Sequence, residues 1–174
     1  MTLNVRLNMH RVSIIGCCGA GKSTLSKKLH SITKLPLIHL DREFWSEGWT
    51  PSDKEDFQIR MNSIYQQDEW IIDGHYISTM NARLARSDTV FHLDYSTPLC
   101  LYRALKRMIL GRGRDRSDCA QGCPERFDWE FIRYVASFRR AFRHRTLRML
   151  EEHKHLQIHT FRNPRELKAY LIKP

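Results

Sequence analysis

Gly16-Cys17-Cys18-Gly19-Ala20-Gly21-Lys22-Ser23 is the stretch on which the reading of this chain turns. A glycine, four residues and then Gly-Lys-Ser is the pattern of a loop that cradles phosphate. Its neighbours suit it. Arg11-Val12-Ser13-Ile14-Ile15, just before it, is the β-branched run of a buried parallel strand. Leu25, Leu29 and Ile32, just after it, fall at i, i+4 and i+7 on one helix face. A loop that leaves a strand and opens a helix aims successive backbone N–H groups, and the positive end of the helix dipole, at one spot. Gly16, Gly19 and Gly21 remove the Cβ atoms that would block a tight turn around an anion. The pattern assigns Lys22 to the β- and γ-phosphates and the Ser23 hydroxyl to Mg²⁺, with Ala20 and Thr24 completing the cradle. ATP and Mg²⁺ are the cofactors expected. A glycine-rich turn matching by chance is the bland alternative, and a strand and helix in register argue against it.

The rest of the composition sets limits. A chain of 174 residues suffices for a single domain, 1–174, with a sizeable core. Hydrophobic residues at 41% and charged residues at 28% are ordinary for a globular protein. No apolar run approaches the ~20 residues of a membrane span, so no membrane partner is expected. Met1 to Arg11 lacks the apolar middle of a signal peptide, which points to the cytoplasm. Five cysteines form no disulfide framework. Cys119 and Cys123 could be half of a zinc site, but a structural site wants four ligands and no second pair exists. Two ordinary thiols are the preferred reading. The net charge is +10, and Arg103 to Arg148 holds 13 Lys or Arg against 5 Asp or Glu. Such a field attracts polyphosphate, nucleic acid or both.

Strand and helix signals alternate along the chain. Strands are expected at 35–41, 70–72, 89–93 and 155–160, with helices through Ile64, around Asn81–Arg86, from Leu99 to Leu110, along Phe131 to Met149, and from Pro164 to Leu171. This implies an α/β fold: three α/β/α layers around a five-stranded parallel sheet. In such sheets ligands bind beyond the carboxyl ends of the strands, where this reading puts Asp41, Asp73 and Asp94.

These residues together resemble the P-loop kinases of the adenylate kinase and shikimate kinase type, over about Arg11 to Leu171. The 19 residues between Lys22 and Asp41 are similar to the spacing in shikimate kinases from the loop lysine to a substrate-side aspartate. Ile71-Ile72-Asp73-Gly74 resembles the Asp-Gly strand end of nucleoside monophosphate kinases. Asp94, Arg103 and Arg107 resemble the adenylate kinase stretch in which one arginine stacks on adenine and the next contacts phosphates. More narrowly, Trp45 and Trp49 after His-Leu-Asp, Trp70-Ile-Ile-Asp-Gly, and Gly122-Cys-Pro-Glu-Arg-Phe127 look like the bacterial topology-modulation (FlaR-like) proteins. The resemblance implies an ATP-dependent small-molecule kinase with a P-loop NTPase fold, an acceptor-binding region at about 42–69 and a lid at about 111–126. One departure matters. Monophosphate kinases place arginines where this chain has Phe44 and Ile77. A buried phosphate without them forgoes charge-assisted hydrogen bonds of roughly 1.5–3 kcal/mol each. A ring- or sugar-bearing acceptor fits the aromatic region better, or one held by Arg42 or Arg60.

Roles follow. Asp41 is the expected general base or acceptor-hydroxyl ligand, its alternative being a helix N-cap. Asp73 is the expected Mg²⁺-water ligand, its alternative a turn residue. Arg103 and Arg107, one helical turn apart, are expected on the nucleotide. From the lid, one or two of Arg112, Arg114 and Arg116 are expected at the transferring phosphoryl, Arg112 and Arg114 being singled out. Asp94 is left to local hydrogen bonding. Arg139, Arg140, Arg143, His144 and Arg148 read as a solvated helix face. A DNA-associated ATP-binding regulator with weak or no kinase activity is the alternative function, and an NTPase coupled to a protein partner a weaker third. The acceptor and the oligomeric state stay open.

Overall fold

The computed structural model describes residues 9–172. Met1 to Arg11, on which the expectation of a cytoplasmic protein rests, lies mostly outside them. The elements in chain order are β1 (Arg11–Gly16), α1 (Lys22–Thr33), β2 (Leu37–His39), α2 (Leu40–Phe44), β3 (Trp45–Ser46), β4 (Thr50–Pro51), α3 (Lys54–Tyr65), β5 (Trp70–Asp73), α4 (Ile77–Arg86), β6 (Thr89–Leu93), α5 (Thr97–Leu110), α6 (Trp129–Glu152), β7 (Gln157–Phe161) and α7 (Pro164–Ile172). Five strands form one sheet in the order β2-β5-β1-β6-β7, with every neighbouring pair parallel.

β1 is central because its apolar residues can be buried on both faces. Val12 and Ile14 pack into one cluster with Ile71, Phe91, Leu25, Leu29, Cys100 and Val135. Ile15 points the other way, joining Val90, Met80, Leu84 and Leu150. The alternation is the pleat of the strand expressed as two cores. A third cluster, with Phe57, Met61 and Tyr65 of α3 against Trp70 and Ile72, closes the second face beneath β5. Each fully buried Leu, Ile or Phe contributes about 1.5–3 kcal/mol relative to an exposed one. The three-layer α/β/α architecture expected from the sequence is therefore observed.

Two local departures bear on the site. The strand expected through Asp41 stops at His39, and Asp41 sits in the first turn of α2. β2 is an edge strand paired only to β5, over three residues, and Leu40 turns inward to full burial, which ends the extended run. The aromatic stretch after it is a small antiparallel hairpin, β3 with β4, turning at Gly48 with φ 71°. Composition marked that region as polar and aromatic without resolving the hairpin.

The consecutive parallel pairs place β1 between β5 and β6, while the chain after β1 crosses to the far edge at β2. The order thus reverses at β1. A crevice opens there at the carboxyl ends of the strands.

Candidate active site

The loop after β1 is shaped by positive φ angles: Gly16 at 143°, Gly19 at 81° and Gly21 at 98°. At Gly19 a Cβ would lie 2.3 Å from the Cys100 carbonyl oxygen, so the loop packs against α5 only because that residue has no side chain. Gly21 N-caps α1 without a side-chain cap, and the first turn of α1 contains no acidic residue. Its amides and dipole are thus left for an outside anion. Lys22 Nζ donates to the Cys17 carbonyl at 3.1 Å, holding the ammonium over the loop.

This loop lines one cavity with Thr24, Lys27, Lys28, Tyr95 and Arg103. Arg103 donates to the Ala20 carbonyl at 3.5 Å, and its guanidinium carbon lies 6.0 Å from the Tyr95 ring centroid. Pro164 and Leu167 complete an apolar side. Asp73, at the end of β5, is buried there and accepts from Ser26 Oγ and, at 3.0 Å, pairs with His39 Nδ1. Ser23 Oγ donates to Asp118 Oδ2.

A second cavity of about 530 Å³ adjoins the first. Its walls are Phe44, Trp45, Trp49 and Tyr76 on one part, and Phe131, Tyr134 and Phe142 of α6 on another. Cys18, Lys22, Asp41, Gly74, Arg107 and Arg116 line both cavities. Asp41 therefore stands where the two spaces meet. It accepts from the Tyr76 hydroxyl at 2.9 Å and from Arg116 at 3.5 Å. Burial, reinforced by the Asp41 charge, pushes the Tyr76 phenol well above its usual range, so it stays a donor.

The segment between α5 and α6 lies over this junction. Bridges of Arg112 with Glu125 and of Asp115 with Pro124 fold it back on itself. Gly48 N–H donates to the Gly122 carbonyl at 2.9 Å, and Trp49 Nε1 donates to the Pro124 carbonyl at 3.0 Å, tying the segment to the hairpin. Arg116 points inward, its side chain 12% exposed, with Asp118 at 2.8 Å and Glu125 at 3.5 Å. Burial alone would discourage its charge, but the Asp118 hydrogen bond and charge outweigh it and raise its pKa. Burial likewise acts to raise Asp118, and the Arg116 hydrogen bond and charge hold it well below the usual carboxylate range instead. Glu125 also pairs with Arg107 at 2.6 Å.

Gly16, Gly19, Ala20, Gly21, Lys22, Ser23 and Thr24 form or flank the cradle, and Asp41, Asp73, Arg103 and Arg107 gather around it. Arg112 and Arg114 do not. Both are exposed and line neither cavity, and Arg116 occupies the inward position expected of them. What holds Arg116 inward is its set of carboxylate partners, Asp118, Asp41 and Glu125. Asp94 also departs from expectation. It is buried and pairs with Arg143 at 2.9 Å and Arg139 at 3.4 Å, so two arginines of the expected solvated face are clamps holding α6 to the end of β6. Cys119 and Cys123 are buried thiols, Cys123 donating to the Ser46 carbonyl at 3.1 Å. Among the described residues no cluster of three His, Cys, Asp or Glu is arranged to hold a metal, and no helix is long and apolar enough to cross a membrane. Asp118, Glu125, Tyr76 and His75 went unread in the sequence. Only the acids have a signal there, as isolated carboxylates inside a basic run.

No protein-family model matches the sequence, and no curated protein does. Among solved structures the chain is similar to the shikimate kinase of Bacteroides thetaiotaomicron, at 16% identity over 94% of this chain and 95% of that chain, with a TM-score of 0.53. It is similar also to a shikimate kinase from Acinetobacter baumannii solved with shikimate, at 15% identity over 93% and 89%, with a TM-score of 0.51. The likeness establishes the fold, a five-stranded parallel sheet flanked by helices as in those two shikimate kinases.

Proposed function

We propose that the protein is an ATP-dependent small-molecule kinase, moving the γ-phosphoryl of ATP to a hydroxyl acceptor. The observation that carries this reading is the shared wall: a loop that cradles anions and an aromatic cavity meet at Lys22, Asp41, Arg107 and Arg116. Triphosphate in the first cavity puts its terminal phosphorus at the mouth of the second. Tyr95 and Arg103 supply a flat, cationic edge for the adenine. Asp41 orients the acceptor hydroxyl and takes its proton. Lys22 and Arg116 oppose the charge on the transferring oxygens. The lid segment keeps water from that phosphorus.

The residues present fit Mg²⁺. Ser23, Asp73 and Asp118 offer hard oxygen donors beside the cradle, and Mg²⁺ takes few protein ligands when phosphates supply the rest. Bound there, it would neutralise the β- and γ-oxygens. Of the three stretches behind the narrower topology-modulation resemblance, two touch one another here, the Trp45–Trp49 hairpin against residues 122–124. The nucleic-acid alternative has less to draw on than the charge count implied, because Arg139 and Arg143 are committed to Asp94.

The test is Asp41→Asn. ATP turnover with a cognate acceptor should fall by ~10²–10⁴, while calorimetric ATP affinity stays within a few-fold. Unchanged turnover would remove Asp41 from the reaction.

A further inference from the structure

If the kinase reading above holds, the second cavity carries information about the acceptor. Its aromatic lining comes as two separate groups. Phe44 pairs with Tyr76 at 5.2 Å and Trp45 with Trp49 at 5.7 Å. On α6, Tyr134 pairs with Phe142 at 6.0 Å and with Phe131 at 6.5 Å. Among the described residues no ring of the first group pairs with a ring of the second, yet both face the same 530 Å³ space. That volume lies within the range of small-ligand sites, roughly 300–1,000 Å³. Two unjoined aromatic surfaces around such a space suit a flat ring between them.

The charges say what that ring does not bring. Lys22, Arg107, Arg116 and Arg126 face the cavity, and so do Asp41, Glu125, Asp128 and Glu130. The arginines at the junction already have partners. Arg107 is ion-paired with Glu125 at 2.6 Å without the geometry of a hydrogen bond, and Arg116 is hydrogen-bonded to Asp118 at 2.8 Å. Lys22 is turned to the phosphate loop. At the rim, Asp128 caps α6 through the Phe131 N–H at 3.0 Å and pairs loosely with Arg126. An anionic acceptor would find Arg107 and Arg116 already paired, and beside them only Lys22, turned to the phosphate loop, and the exposed rim residue Arg126. A cationic one would sit against Arg107 and Arg116. His75 adds no charge, since burial first, and then the charges of Lys22, Arg83 and His92, depress its pKa well below the ordinary value.

We propose that the acceptor is an electrically neutral, ring-bearing alcohol of the nucleoside type, with its ring between the hairpin and α6 aromatics and its hydroxyl at Asp41. Carboxylates and phosphate monoesters are disfavoured, because Arg107 and Arg116 already have carboxylate partners. In the transfer, the acceptor oxygen bonds to the γ-phosphorus as the bond from that phosphorus to the β–γ bridging oxygen breaks. The bridging electron pair leaves on ADP, and the hydroxyl proton passes to Asp41.

The experiment measures ADP release from ATP·Mg²⁺ with adenosine, guanosine, cytidine, uridine and thymidine, with their 5′-monophosphates, and with shikimate, alongside calorimetric ATP affinity. At least one nucleoside should raise the rate about tenfold or more over water alone, and the monophosphates and shikimate should not. Faster transfer to a monophosphate or to shikimate overturns the proposal and leaves the kinase reading standing. So does intact ATP binding with no response to any nucleoside. Failure to bind ATP overturns both together. Tyr134→Ala should raise the nucleoside KM roughly tenfold with the ATP KM unmoved, and Tyr134→Phe should restore it, because stacking needs the ring and not the hydroxyl. A nucleoside KM indifferent to Tyr134→Ala overturns the stacking arrangement.

Discussion

The two cavities that meet at Asp41 are made of different materials. The first is built from main chain: three glycines at positive φ, an uncapped helix start and one ammonium group. Lys22, Lys27, Lys28, Arg103, Arg107 and Arg116 line it against only Asp41, Asp73 and Asp118. The second is built from side chains, with seven aromatic rings and with cations and carboxylates evenly matched. One cavity is prepared for several negative charges. The other has no net charge to offer a ligand. This division of labour is what a phosphotransfer site needs, since the same triphosphate must be held strongly at one end while the acceptor is chosen at the other.

Lys22→Ala breaks the comparison most directly. It removes the ammonium group held over the loop, and turnover should fall by about 10²–10³. ATP titration should weaken alongside it. An unaltered affinity would mean that the first cavity does not hold polyphosphate. Gly19→Ala comes next in size. The new Cβ would meet the Cys100 carbonyl at 2.3 Å, at a φ of 81°. Stability to urea should drop by about 1–3 kcal/mol. Gly113→Ala is the control, with a similar φ of 75° and nothing within 4 Å of the new atom. It should cost only the conformational part, about 1–2 kcal/mol. Equal losses at the two positions would show that close packing of the loop on α5 contributes nothing.

Glu125→Gln sharpens the contrast from the other side. Glu125 is buried and holds both Arg107 and Arg116. Once Glu125 is neutralised, Arg107 loses its carboxylate partner, while Arg116 keeps Asp118, and the second cavity should begin to resemble the first. A nucleoside 5′-monophosphate, measured by calorimetry with the ATP site saturated, should bind about tenfold tighter than to the wild type, one charge-assisted hydrogen bond being worth roughly 1.5–3 kcal/mol. Unimproved binding would mean that something other than Glu125 keeps anions out.

The same contrast explains what the sequence disclosed. The first cavity lies in one contiguous run, and each glycine in it reports a backbone requirement that no distant residue can change. β1, the loop and α1 were legible for that reason, as were Lys22 and the sheet around them. The second cavity is assembled from Asp41–Trp49, Gly74–Ile77, Arg107–Met108 and the stretch from Arg116 to Phe142. No local pattern says that Tyr76 reaches Asp41, or that Glu125 neutralises two arginines. The choice among Arg112, Arg114 and Arg116 depended on which way a bridged segment turns its side chains, and residue type carries no information about that. Asp94 was misjudged for a related reason, because its partners Arg139 and Arg143 lie 45 and 49 residues further along.

The smallest effect concerns His75, a neutral imidazole in the wall of the second cavity. The ring is buried, with Nε2 3.3 Å from Thr146 Oγ1 and the ring 4.6 Å from Phe138. Its folded pKa lies well below the ordinary 6.5, burial being the main cause. In the unfolded chain that histidine takes up a proton below about pH 6.5, while the folded protein does not. The unfolded state then binds more protons, so stability must fall as pH drops below 6.5 and level off only beneath the folded pKa. The slope assigned to this one residue is at most about 1.4 kcal/mol per pH unit. His92, also depressed mainly by burial, adds to the wild-type slope, so the decisive measurement is a difference. Urea unfolding of wild type and His75→Gln at pH 7.5, 6.5 and 5.5 should give curves that converge on acidification, the variant losing less. Parallel curves would mean that His75 is protonated inside the fold. That would put a positive charge on the wall of the second cavity and undo its electroneutrality.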